Sequence, residues 1–227
     1  MNNKHLDFSQ GFTDSKLRDL YLSTYGDIAY VDESYSVPSG GRQKYFYILT
    51  ATLVKRENLI DTRKSLLDIS GSNYWHTFEK NLEENGKKQI LEMAKFLADY
   101  TNIITIQTNV RPDDTQGEHA RKACFGKLFE VLFESYLHSK GMIVLESRAE
   151  GANKKIDNQT ISFWINKKII PRSARIYMGT PRLECLLWAP DVVSWSTNRL
   201  LFEDNTFMKP ITNGKNHKVV DIKAKNP

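Results

Sequence analysis

The sequence predicts an α/β fold, a mixed sheet of about five strands with helices on both faces. Three observations lead to it. Two β-prone runs come first, segments with apolar residues at helical spacing follow, and from about residue 102 onward strands and helices alternate. Alternating β-α units require parallel neighbours joined by right-handed crossovers. The two opening runs, close together in the chain, make an antiparallel hairpin.

The first strand is "DIAYVDE", residues 27–33, and the second is "KYFYILTATLV", residues 44–54; both are rich in residues that suit a pleated surface. Between them "SYSVPSGGRQ" holds Pro38, Gly40 and Gly41, which mark a loop. From Glu57 the spacing turns helical, with Leu59, Ile60, Leu66 and Leu67 in a short helix closed by "SGSN". In "NLEENGKKQILEMAKFLADY" the apolar stripe is Ile90, Leu91, Ala94, Leu97 and Ala98. A third strand, "NIITIQTNV" at 102–110, precedes a helix over 118–138 that buries Cys124, Leu128, Val131, Leu132 and Tyr136. "MIVLESR", 142–148, is an apolar run stopped by Glu146, the pattern of a strand covered on both faces. A helix over about 155–170, a strand at 174–180 and a helix over about 190–203 complete the order.

The 227 residues suffice for one sizeable core, and no repeat, low-complexity tract or linker divides residues 25–205. The expected organisation is an N-terminal appendage (1–24), one domain (25–205) and a basic C-terminal tail (206–227). A 40% hydrophobic and 26% charged composition excludes disordered and fibrous classes. Cys124 and Cys185 are far apart and lack metal-site spacing, which fits reduced core residues. The first twelve residues hold no apolar segment, and the longest apolar run, 45–54, is about half of the ~20 residues a span needs. A cytoplasmic protein with no membrane association is expected. The net charge of +5 permits a polyanion partner, and the last twenty residues carry five lysines against one acid.

In open sheets of this kind ligands bind beyond the carboxyl ends of the strands. Asp32 and Glu146 stand there, and Asp191 follows Pro190, a residue favoured in a helix's first turn, where a carboxylate is also favoured. Converging carboxylates repel unless a cation sits among them, so the three read as a divalent-metal site. Oxygen donors without Cys or His suit Mg²⁺ or Mn²⁺. Two such ions roughly 3.5–4 Å apart can activate water and stabilise a leaving oxygen, the general scheme of phosphodiester hydrolysis.

Those residues also carry a resemblance. "IAYVDES" on a first strand, "KYFYILTATLV" on a second, "IVLES" on a later one and "LECLLWAPDVVSWSTNR" near the end look like a bacterial domain-of-unknown-function family with a ribonuclease H-like fold and a Tyr-x-Asp-Glu-Ser opening motif. The likeness covers about residues 27–203. It implies a mixed five-stranded sheet and a metal-dependent nuclease site whose acids fall on Asp32, Glu146 and Asp191. The chain departs from the family pattern at Tyr35, where many relatives have glycine, at Pro190, where many have alanine, and at Glu146, where aspartate is commoner.

Other residues carry two readings each. Glu33 alternates with Asp32 and so points to the opposite face of a regular strand, into a salt bridge or helix cap; if the strand ends at Asp32 it joins the metal. His76, three residues before Glu79, is either a partly buried neighbour of Trp75 or a proton carrier, which makes it the fourth catalytic candidate; Glu79 is a further acid beside it. Glu184 is a structural acid or an additional ligand. Trp188 and Trp195 read as core anchors. Arg42, Lys44, Arg148, Lys154 and Lys155 are candidate phosphate contacts for a nucleic-acid partner, RNA or DNA, and each alone is also ordinary solvated surface. The leading expectation is a Mg²⁺- or Mn²⁺-dependent nuclease. The alternatives are a non-catalytic nucleic-acid- or partner-binding module with a degenerate site, and a phosphohydrolase acting on small phosphates.

Overall fold

The computed structural model describes residues 14–40, 44–137, 141–148 and 152–222. In chain order the elements are α1 (Ser15–Ser23), β1 (Asp27–Ser36), β2 (Phe46–Lys55), α2 (Leu59–Ser70), α3 (Thr77–Lys80), α4 (Gly86–Tyr100), β3 (Asn102–Asn109), α5 (Glu118–Ser135), β4 (Met142–Glu146), α6 (Ala152–Asn166), β5 (Arg175–Gly179), α7 (Trp188–Leu201), α8 (Lys209–Asn213) and β6 (His217–Ile222). The strands form one mixed sheet in the order β5-β4-β1-β2-β3-β6. β2 runs antiparallel to β1 and β3, while β4 is parallel to β1, β5 to β4 and β6 to β3.

β1 lies near the middle of the sheet, and its alternation feeds two cores. Ile28 and Tyr30 join Leu17, Leu66, Met93, Leu97, Trp188 and Val192 from α1, α2, α4 and α7. Ala29 and Val31 join Cys124, Leu128 and Leu132 of α5, with Ile161 and Trp164 of α6 packed against them. The expected helices on both faces are therefore present. α5 and α6 meet closely at Gly126, where an added Cβ would come within 2.2 Å of the Trp164 ring. A glycine is required there by space rather than by backbone angle.

The sheet has six strands rather than about five, and both expected appendages carry structure. Residues 15–23 form α1, whose first turn is capped by Asp14 at 3.0 Å from the Leu17 amide. Leu17 and Tyr21 on it are fully buried. At the other end Phe207, Met208 and Ile211 enter the first core, and β6 extends the sheet beyond β3, tied also by Thr105 Oγ1 to His217 Nε2 at 3.1 Å. Of the lysines that made this segment look like a solvated tail, Lys209 belongs to α8, Lys215 precedes β6 and Lys218 is exposed on β6, where a charge disfavours further strand pairing, while Lys223 and Lys225 lie outside the described residues. β1 also continues to Ser36, three residues past its expected end. Among the described residues no helix is long and apolar enough to cross a membrane.

Removal of residues 206–227 should therefore lower the thermal midpoint and broaden the transition. Ile211→Ala, which empties a fully buried site, should cost about 2–5 kcal/mol in chemical denaturation. A truncated chain that melts like the full-length one would return the segment to the status of a tail.

Candidate active site

Strand pairing brings the first two acids together. β1 and β4 are in parallel register with Ile28 opposite Met142 and Tyr30 opposite Val144. Two residues further on, with the same facing, come Asp32 and Glu146. α7 packs over β1 and β2 on that face, and Asp191 lies in its first turn. The helix begins at Trp188, so Pro190 falls among the first residues, whose N–H groups have no intrahelical partner. All three carboxylates line one cleft of about 360 Å³.

Two neighbours orient them. Asp191 Oδ2 accepts from both the Thr77 amide and Thr77 Oγ1, each at 2.9 Å. A side chain of α7 thus satisfies the start of α3, a helix whose N-cap residue His76 makes no capping bond of its own. Ser194 Oγ stands within reach of Asp32 Oδ2 at 3.3 Å and of the Asp191 carbonyl at 3.2 Å.

The electrostatics set this cluster apart. Glu33 is neutralised by Arg121, at 3.0 Å; Asp157 by Arg121, at 2.8 Å, and by Arg148; Glu184 by Arg63, at 2.7 Å. Among the described residues no Lys or Arg forms an ion pair with Asp32, Glu146 or Asp191. Each keeps some accessible surface on the cleft wall, yet protein atoms crowd around it. Burial, then Glu146 and Asp191, pushes the Asp32 carboxyl well above the usual carboxylate range. Burial, then Asp191, pushes Glu146 up to about 7, with a hydrogen bond from Asp32 and the nearby His76 opposing. Burial raises Asp191 as well, against the Thr77 hydrogen bonds and His76.

Hard oxygen donors gathered without a counter-charge fit a divalent cation in kind. As they stand, however, no three His, Cys, Asp or Glu side chains among the described residues are placed to hold one ion together.

The other expected residues divide. His76 lines the cleft from its exposed lip. Glu33 also borders it, but the strand stays regular, so its carboxylate turns to the α5 side and accepts from Tyr47 Oη and Arg121 Nε. Glu79 is not part of the cleft lining and accepts from Tyr74 Oη at 3.1 Å. Glu184 is 1% exposed, held by two bonds from Arg63, one from Tyr21 Oη at 2.6 Å and one from the Leu186 amide. It serves the first core and lies outside the site.

Among the expected phosphate contacts, Arg148 lines the cleft with its guanidinium engaged by Asp157 and Glu118. Lys44 instead donates to the Leu201 carbonyl at 3.1 Å and sits over the Phe202 ring. Lys155 is exposed on α6 and does not line the cleft. Arg42 and the Lys154 side chain lie outside the described residues. Among the described residues no lysine lines the cleft.

Sequence reading missed Thr77, Ser194 and Asn198. The last two follow Asp191 by three and seven residues, so helical spacing alone places them on its face. Asn198 Nδ2 donates to Ser34 Oγ at 3.1 Å, a second tie between α7 and β1 at the cleft. Thr77 gave no such signal, since it reaches Asp191 across 114 residues of sequence.

No family model matches the chain. No curated protein matches it either. Among solved structures it is similar to a chain in the structure of the PCNA:RNase HII complex from Archaeoglobus fulgidus, with 11% identity, 88% of this chain and 83% of that chain covered, and a TM-score of 0.46. The family resemblance therefore rests on the quoted motifs.

A carboxyl raised on folding holds its proton more tightly in the native state. Its stabilising contribution is present below the unfolded pKa and is lost as pH rises through the folded one. For Glu146 that window runs from 4.5 to about 7. His217, lowered by burial, works the other way, so the measurement is a difference. In EDTA, wild-type stability should fall relative to Glu146→Gln as pH rises across this window, and parallel stability curves would contradict the assignment. Glu184→Ala should cost about 3–5 kcal/mol by breaking its buried ion pair with Arg63, yet leave Mn²⁺ affinity unchanged in calorimetry. A loss of Mn²⁺ affinity in the folded variant would restore Glu184 to the site.

Proposed function

We propose that the cleft is a divalent-metal-dependent nuclease site that hydrolyses phosphodiester bonds. One observation carries the reading: Asp32, Glu146 and Asp191 line one cleft with no Lys or Arg ion-paired to them among the described residues, whereas Glu33, Asp157 and Glu184 each have an arginine. The order β5-β4-β1-β2-β3 with β2 antiparallel also supports the ribonuclease H-like reading of the motifs. Asp32, Glu146 and Asp191 would hold Mg²⁺ or Mn²⁺, which when bound supplies Lewis acidity toward the attacking water and the leaving oxygen.

The protein's own groups have distinct tasks. Thr77 fixes the Asp191 carboxylate with two bonds to Oδ2, and Ser194 restrains Asp32 at Oδ2. Their second-layer bonds limit the rotamers of the donors before any ligand arrives. His76 lines the exposed lip of the cleft, and in this reading it gives a proton to the departing oxygen. The partner is nucleic acid and the setting cytoplasmic in this reading, with the net charge of +5 favouring a polyanion.

Asp32→Asn should lower metal-dependent cleavage of an RNA and DNA panel by about a hundredfold or more, the equivalent of several kcal/mol of transition-state stabilisation. It should weaken Mn²⁺ binding in parallel, and Thr77→Val should cost about 10- to 100-fold. Unchanged turnover and Mn²⁺ affinity in Asp32→Asn would sink the proposal. Salt-dependent binding that persists in EDTA, with no cleavage by the wild type, would favour the non-catalytic module; turnover of nucleotides alone would favour the small-phosphate hydrolase.

A further inference from the structure

The cleft walls hold two exposed aromatic rings that the fold does not bury. Tyr35, on β1, is 48% exposed, and Phe78, on α3, is 57% exposed. They reach the cleft from the two faces of the sheet. Tyr35 projects on the α5 side, as Glu33 does, and Phe78 belongs to the side where α3 packs on α7.

The Tyr35 ring stacks on Tyr47 at 5.5 Å with planes 6° apart, and the Tyr47 hydroxyl donates to Glu33, which Arg121 holds. Phe78 is carried by α3, whose start is held by Asp191 through Thr77 and beside which Trp75 stacks on buried Trp188 at 6.4 Å. Two exposed aromatic rings thus border the cleft that the acids line.

The exposed rings decide which polynucleotide such walls suit. A duplex hides its base faces, so its binding rests on phosphate contacts from Lys or Arg, which single strands also use. Among the described lining residues Arg148 is the one such side chain, and Asp157 and Glu118 engage its guanidinium. Unpaired bases instead expose π-faces that stack on aromatic side chains with little sequence preference.

We propose that the cleft selects single-stranded nucleic acid, with unpaired bases stacking on Tyr35 and Phe78 on either side of the carboxylates. This deepens the nuclease reading and rests on it for the position of the reacting phosphate. The stacking platforms make their contribution to substrate binding and register, and the acids make theirs to chemistry.

The test measures binding of a fluorescein-labelled single-stranded oligonucleotide, and of the blunt duplex of the same sequence, in Ca²⁺. Cleavage of both is then followed in Mg²⁺ and Mn²⁺. Tyr35→Ala and Phe78→Ala should each weaken single-strand binding by about 5- to 150-fold, the equivalent of about 1–3 kcal/mol per stacked base. Tyr35→Phe and Phe78→Trp should retain it. Tyr35→Leu and Phe78→Leu, which keep bulk without the aromatic face, should behave as the alanine variants do. Wild type that prefers the duplex, or leucine variants that bind single strands as tightly as wild type, would overturn the proposal. Duplex cleavage without single-strand binding would remove the platforms and leave the nuclease reading intact. Single-strand binding lost in the leucine variants, with no cleavage of any substrate, would keep the platforms and remove the nuclease.

Discussion

β1 is covered on both faces, and it carries two acids in succession. A strand sends consecutive side chains to opposite sides, so Asp32 and Glu33 cannot share an environment. Glu33 enters the α5 side and meets Arg121, which also pairs with Asp157, which in turn pairs with Arg148. Arg148 also meets Glu118, so along that chain every carboxylate touches a guanidinium. Asp32 enters the α7 side and meets two further carboxylates, Glu146 and Asp191; burial raises all three, and repulsion adds to it at Asp32 and Glu146. The imbalance between the two faces distinguishes a site from a scaffold here: the same residue type is neutralised on one side and left in need of a proton or a cation on the other.

The elements around Asp32 hold the cluster in place despite its repulsion. α7 is bound to β1 through Ser194 and Asn198, at 3.3 and 3.1 Å, and it delivers Asp191 from its first turn. Asp191 then organises α3, whose first amide and Thr77 hydroxyl it accepts. Loss of the Asp191 carboxylate would therefore remove an acid from the cleft and a cap from the helix that presents His76 and Phe78. Chemistry and wall geometry are coupled through one side chain. Glu184 shows the contrast: only seven residues earlier, it faces Arg63 and Tyr21 in the core and contributes to packing of α1 and α2.

Much of this was legible in the chain. "IVLES" and "PDVVSW" mark acids at element ends, "YVDES" marks one inside β1, which runs on to Ser36, and the alternation that separates Asp32 from Glu33 follows from strand period alone. Helical spacing from Asp191 also contains Ser194 and Asn198. The exposed aromatics gave no such signal. Trp188 lies in the core as expected, whereas Tyr35 and Phe78, which border the cleft, carry no local mark that separates an exposed ring from a buried one. The lysines misled most. Their charge made residues 206–227 resemble a tail, although Phe207, Met208 and Ile211 are buried and β6 completes the sheet. Lysines at a sheet edge and in a solvated tail have the same composition, and only strand pairing tells them apart.

Local sequence by itself determined the element order from β1 to α7, apart from the short α3, and the mixed character of the sheet, because period, propensity and residue chemistry act over a few neighbouring positions. The tertiary structure alone decided that Thr77 orients Asp191 from 114 residues away, that Arg121 and Arg63 neutralise Glu33 and Glu184, and that Arg148 is engaged rather than facing a ligand. Each of those outcomes depends on which helix packs on which face of β1. That choice belongs to the whole core, and no window of sequence around the residues concerned contains it.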